Sequence, residues 1–133
     1  ETAWQNPASN RQVGAGDTAL PRGGRMSKKK ILLLCHDITT RLGLNATWTG
    51  AGAEMLAVTS EERPDCIIID LGRRDALDEI ASRRARYPEV TIIACFATYN
   101  DEAVVAAKAA GANDIAARSF VDRRVARLLQ LEI

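Results

Sequence analysis

An α/β fold, with a parallel sheet covered by helices on both faces, is predicted by three observations. Short apolar runs alternate with Ala-rich amphipathic segments, the strongest runs are apolar at every position, and Gly, Pro, Asn or Asp marks the changeovers. A strand that is apolar on both sides needs cover on both sides, the condition of a parallel sheet between two helical layers. With 133 residues, 47% hydrophobic and 26% charged, the chain has the size and composition of one domain with a proper core.

Residues 1–27 combine Asn, Gln, Ser, Gly and Pro without helical or strand periodicity, and are expected to form a disordered leader or an added tail, with Trp4 the residue most able to dock. Met26 has the look of a natural start, so the folded domain is placed at 28–133. Strands are expected at 31–35, 66–69 and 90–95, the central three, and at 114–117, which is shorter. A further strand at 46–49, flanked by Gly50 and Gly52, belongs at an edge. Helices are expected at 53–62, 75–86, 101–110 and 121–131, with Asp75 and Asp101 placed to cap their amino ends and Gly111 placed to end the third in a left-handed conformation. A parallel crossover takes roughly a dozen residues, so residues 38–46 leave space for only a short first helix.

Eighteen basic and seventeen acidic residues leave a formal charge of +1, which excludes a global field drawing the chain to nucleic acid or to an anionic membrane. No apolar run is long enough to cross a bilayer and no signal-peptide pattern opens the chain, so a cytoplasmic protein is expected. Cys35, Cys66 and Cys95 are odd in number and lie in apolar runs, as reduced core thiols do.

In open parallel sheets, chemistry collects where the strands end. The residues at those ends are Cys35, His36 and Asp37, then Asp70, then Phe96 and Thr98, and finally Arg118 and Ser119. A Cys-His-Asp nucleophile arrangement is disfavoured because three consecutive residues point apart, and a transition-metal site at Cys35 and His36 lacks a second ligand pair. Gly50-Ala51-Gly52 reads as a turn because it lacks the full phosphate-binding glycine pattern, and Arg83, Arg84 and Arg86 read as a solvated helix face. Val121, Val125, Leu128 and Leu129 form the apolar stripe of the last helix.

The run Pro64-Asp65-Cys66-Ile67-Ile68-Ile69-Asp70-Leu71 resembles the third strand of response-regulator receiver domains, which ends in a phospho-accepting aspartate. Gly52-Ala53-Glu54-Met55-Leu56 through Glu61-Glu62-Arg63 is similar to the second helix of that family, and Ala109-Ala110-Gly111-Ala112-Asn113-Asp114 to its turn into the fifth strand. The resemblance covers roughly residues 28–131. It implies a flavodoxin-like doubly wound sheet of about five strands in three α/β/α layers, with the first helix region shortened, and Asp70 as the equivalent of the phosphoacceptor. Receivers carry an acidic pair for Mg²⁺ after the first strand; here Cys35 and His36 stand there, with Asp37 one step later. Phe96 takes the place of the family's Ser or Thr, with Thr98 close by, and Arg118-Ser119 replaces Lys-Pro.

These departures imply an atypical receiver, not an enzyme, that signals through protein–protein contacts without Mg²⁺-dependent phosphorylation and needs no cofactor. The alternatives are a phosphorylatable two-component receiver using Mg²⁺ and Asp70, and a small flavodoxin-like enzyme or ligand binder using Cys35 and His36. The resemblance also implies a histidine kinase, an output or regulatory protein, or a second copy of the chain as partner. Lys108, Asp114, Arg123, Arg124 and Arg127 are the candidate interface charges.

Overall fold

The computed structural model describes residues 28–132, so the expectations for residues 1–27, Trp4 included, lie outside the described residues. The chain runs through β1 (Lys30–Leu34), α1 (Ile38–Gly50), β2 (Glu54–Leu56), β3 (Cys66–Asp70), α2 (Ala76–Arg86), β4 (Thr91–Phe96), α3 (Asp101–Ala110), β5 (Asp114–Ala117) and α4 (Arg118–Leu129). The strands form one parallel sheet in the order β2-β1-β3-β4-β5. The three-layer, doubly wound architecture is therefore as expected.

Strand alternation divides the core in two. Ile31, Leu33, Cys35, Cys66, Ile68, Ile93 and Cys95 face α1 and α4, meeting Leu44, Trp48, Val121, Val125 and Leu129. Leu32, Leu34, Ile67, Ile69, Ile92 and Ala94 face α2 and α3, meeting Ala76, Ile80 and Ala107. Trp48 is fully buried, and its indole N–H donates to the Asp122 carbonyl at 3.2 Å, joining α1 to α4.

The stretch between β1 and β3 departs from expectation. Residues 46–49 are the last turn of α1 and not a strand, and the helix expected at 53–62 is replaced by β2 followed by an irregular link. The first helix is thus full length, at 13 residues, and the element shed is the one after β2. Four β-branched threonines and two glycines hid α1 in the sequence, yet Asp37 caps it by accepting from the Thr40 N–H at 2.9 Å, and Leu44 and Trp48, one turn apart, anchor its buried face. Gly52, at φ 96°, then turns the chain into β2, a conformation that favours glycine. Residues 57–65 cross β1 without a helix, and their return is pinned at its start: the Lys30 N–H donates to the Asp65 carboxylate, and the Asp65 N–H to the Lys30 carbonyl, both at 2.7 Å.

Two caps also differ. Asn100, not Asp101, caps α3 by accepting from Ala103 N–H at 2.9 Å; Asp75 precedes α2 but spends its carboxylate on Arg73 at 2.8 Å. Gly111 ends α3 at φ 128°, as expected. Of the basic cluster on α2, Arg84 is not a solvated side chain: its guanidinium donates to the carbonyls of Tyr87, Pro88, Val90 and Gly111 and to the Asn113 side chain, tying the end of α2 to the turns before β4 and β5.

Candidate functional site

The register that aligns Leu34 with Ile69 and Asp70 with Cys95 brings the ends of β1, β3 and β4 together. Asp70 sits between them, fully buried, and is the only buried charged residue among those described. A carboxylate in such a place needs partners for each oxygen. One oxygen, Oδ2, accepts from Arg118 Nε at 2.8 Å, from Arg118 Nη2 at 2.5 Å and from the Cys35 thiol at 3.2 Å. The other, Oδ1, accepts from the Gly72 N–H at 2.8 Å. Arg118 is the first residue of α4, so the ion pair clamps the start of that helix to the end of β3.

Around this pair the expected residues separate. Cys35 points inward and His36 outward to solvent, while Asp37 is the cap of α1, so the three consecutive residues do not converge on one another. Burial first, and then the hydrogen bond to Asp70, push the Cys35 thiol up to about 11, far from a reactive thiolate. Burial likewise raises Cys95 to about 12. Asp37 Oδ2 lies 3.9 Å from Arg118 Nη1, and the Thr40 hydrogen bonds hold its carboxyl below the usual value.

Phe96 and Thr98 line a cleft of about 310 Å³ beside Asp70, with Leu71, Val104 and Arg118. The Phe96 ring meets Tyr99 edge to face at 5.6 Å, so an aromatic wall stands where a receiver has a hydroxyl. Ser119 is exposed and does not line that cleft. Of the candidate interface charges, Lys108, Arg123 and Arg127 are exposed, whereas Asp114 and Arg124 pair with each other between β5 and α4.

Gly72 was not singled out in the sequence, since a glycine after a strand reads as an ordinary turn. In the fold its N–H satisfies Asp70, and a Cβ there would come within 2.8 Å of His36 Cε1 and 3.2 Å of Asp70 Oδ1. The Asp70–Arg118 contact, across 48 positions, was equally beyond sequence spacing.

The receiver resemblance implies Mg²⁺, and the residues present do not fit it. A hard cation needs a cluster of oxygen donors. Here a thiol replaces a carboxylate, both Asp70 oxygens are hydrogen-bonded within the protein, and the described residues contain no group of three or more His, Cys, Asp or Glu able to hold a metal ion.

No family model matches the chain, and no curated protein matches it. Its fold does match solved structures. A putative response regulator from Chloroflexus aurantiacus superposes with a TM-score of 0.66 at 23% identity, over 78% of this chain and 99% of the other. The Vibrio cholerae chemotaxis protein CheY4 gives 0.68 at 20%, over 78% and 98%. A Burkholderia pseudomallei response regulator, solved with a phosphorylated aspartic acid, a calcium ion and citrate, gives 0.67 at 18%, over 77% and 67%. The chain has the response-regulator receiver fold. Among the described residues no helix is long and apolar enough to cross a membrane.

Proposed function

We propose that this chain is an atypical receiver that signals by binding other proteins in a fixed conformation, without Mg²⁺-dependent phosphorylation of Asp70. One observation carries the reading: the carboxylate a receiver would phosphorylate is fully buried and hydrogen-bonded at both oxygens, by Arg118 and Cys35 at one and by Gly72 at the other. Phosphoryl transfer to a carboxylate relies on a cation to neutralise the transferring group and on a free oxygen for attack. Neither requirement matches this donor set. Such a module has no chemistry to perform and no cofactor to hold, and the raised Cys35 thiol gives no foothold to a hydrolase-like mechanism.

The surface formed by α3, β5 and α4 is the proposed contact face, with Lys108, Arg123 and Arg127 presenting free charge to a histidine kinase, an output or regulatory protein, or a second copy. The Asp114–Arg124 pair helps hold that face rigid. The domain on this reading spans 28–133 and works in the cytoplasm.

A second reading, a phosphorylatable receiver, is favoured by one feature: Asp37 turns a carboxylate toward Arg118, so a second acid does border the site. Incubation with Mg²⁺ and acetyl phosphate, followed by intact mass measurement, tests the choice. The expected result is no phosphoryl adduct; stoichiometric modification that Asp70→Asn abolishes establishes the second reading instead.

A further inference from the structure

The cleft of about 310 Å³ beside Asp70 has apolar walls where a phosphoryl site needs donors. Leu71, Phe96, Ala103 and Val104 line it, each half-buried and so leaving apolar surface uncovered. Phe96 is braced edge to face by Tyr99, which fixes one aromatic wall. The charged side chains that line the cleft are Asp70 and Arg118, and they pair with each other at 2.5 Å. The rest of the Arg118 guanidinium faces Asp37 at 3.9 Å, so the cleft presents a matched pair and no spare charge. Its neutral polar lining is Thr98 and Asn100. Asn100 Oδ1 is spent on the α3 cap, accepting from the Ala103 N–H at 2.9 Å, while its amide NH2 and the Thr98 hydroxyl make no hydrogen bond to another described residue.

We infer that this cleft binds a small uncharged aromatic molecule, its ring against Phe96, Leu71 and Val104 and its polar group at Thr98 or Asn100. Size and charge together select the class. Small-ligand sites run from about 300 to 1,000 Å³, so this volume suits one or two rings, whereas a partner's helix, about 10 Å across, is too wide for it. An ion entering it would give up water and find both charges already spent on each other. The inference rests on the reading that Asp70 is not phosphorylated, and it supplies that reading with a non-covalent input. Asn100 caps α3 and Arg118 opens α4, so one ligand touches the starts of both helices of the proposed contact face.

The test is amide and methyl NMR of the full chain without Mg²⁺, titrated separately with indole, cyclohexanol and sodium benzoate at constant ionic strength. With indole, saturable shifts are expected at Leu71, Gly72 and residues 96–104, with weaker binding of cyclohexanol and no saturation by benzoate. Val104→Trp, which fills the cleft, is expected to abolish indole binding. Thr98→Val, an exposed substitution that keeps the side-chain shape, is expected to weaken it about three- to tenfold, the loss of one neutral hydrogen bond; this variant carries the test should Val104→Trp not fold. Linear shifts with indole, or indole affinity unchanged in Thr98→Val and in a folded Val104→Trp, overturn the site. Equal binding of benzoate or of cyclohexanol overturns the ligand class. The acetyl phosphate assay needs Mg²⁺ and reads a covalent adduct, so the failure of either proposal is seen apart from the other.

Discussion

Replacing Arg118 by methionine removes the counter-ion of a fully buried carboxylate while keeping most of the packing of the side-chain stem. Stripping one partner from a buried ion pair costs about 3–5 kcal/mol. Arg118 keeps 22% of its side chain exposed, so water replaces part of what is lost, and the Cys35 and Gly72 hydrogen bonds persist. Those two facts place the expected loss near the lower bound, about 3 kcal/mol. Asp70→Asn costs about 1–3 kcal/mol, because its one amide oxygen replaces only one carboxylate oxygen and its NH2 then faces a donor, the Gly72 N–H or Arg118. The double variant Asp70→Asn/Arg118→Met is then expected to be more stable than the sum of the two losses, with a coupling of about 1–3 kcal/mol. Urea melts followed by far-UV circular dichroism at neutral pH measure all four proteins. An Arg118→Met variant within about 0.5 kcal/mol of the parent, or strict additivity, refutes the claim that this pair is what makes the buried charge tolerable.

Other outcomes follow from the same geometry. The folded thiols of Cys35, Cys66 and Cys95 sit at about 11, 12 and 12 against an ordinary 9.0, so the stability they contribute is whole below pH 9.0 and is lost as pH rises through 11 to 12; the urea midpoint should fall across that window, and less steeply in Cys35→Ser. Arg84→Ala should cost about 2–3 kcal/mol, since four backbone carbonyls lose a charged donor, while Arg86→Ala on the exposed edge of the same helix stays within about 0.5 kcal/mol. Gly72→Ala should destabilise by about 1 kcal/mol through its clash with His36, and His36→Ala should relieve that loss in a thermal melt of the double variant.

The three central strands were legible because they are buried on both faces and read as unbroken β-rich apolar runs such as Cys66–Ile69. The stretch from Ile38 to Leu56 was not. Its helix is built from threonine, glycine and asparagine and is stabilised by one cap and two buried side chains, and its strand is three residues long and held mainly by pairing to β1. Neither kind of support leaves a periodic trace in the sequence. At the site, the residue types at the strand ends were readable, and so was the loss of hard ligands at Cys35 and His36. Their partnerships were not, because Arg118 reaches Asp70 only once α4 is docked, and Gly72 acquires its role only from what crowds around it.

The central claim is that Asp70 is closed to phosphoryl chemistry, and beryllofluoride tests it most directly. Fluorine-19 NMR of the chain with beryllofluoride and Mg²⁺ is expected to show free fluoride species alone. A set of protein-bound resonances that disappears in Asp70→Asn contradicts the account, because it requires Arg118 and Cys35 to release the carboxylate to a metal and a phosphoryl mimic.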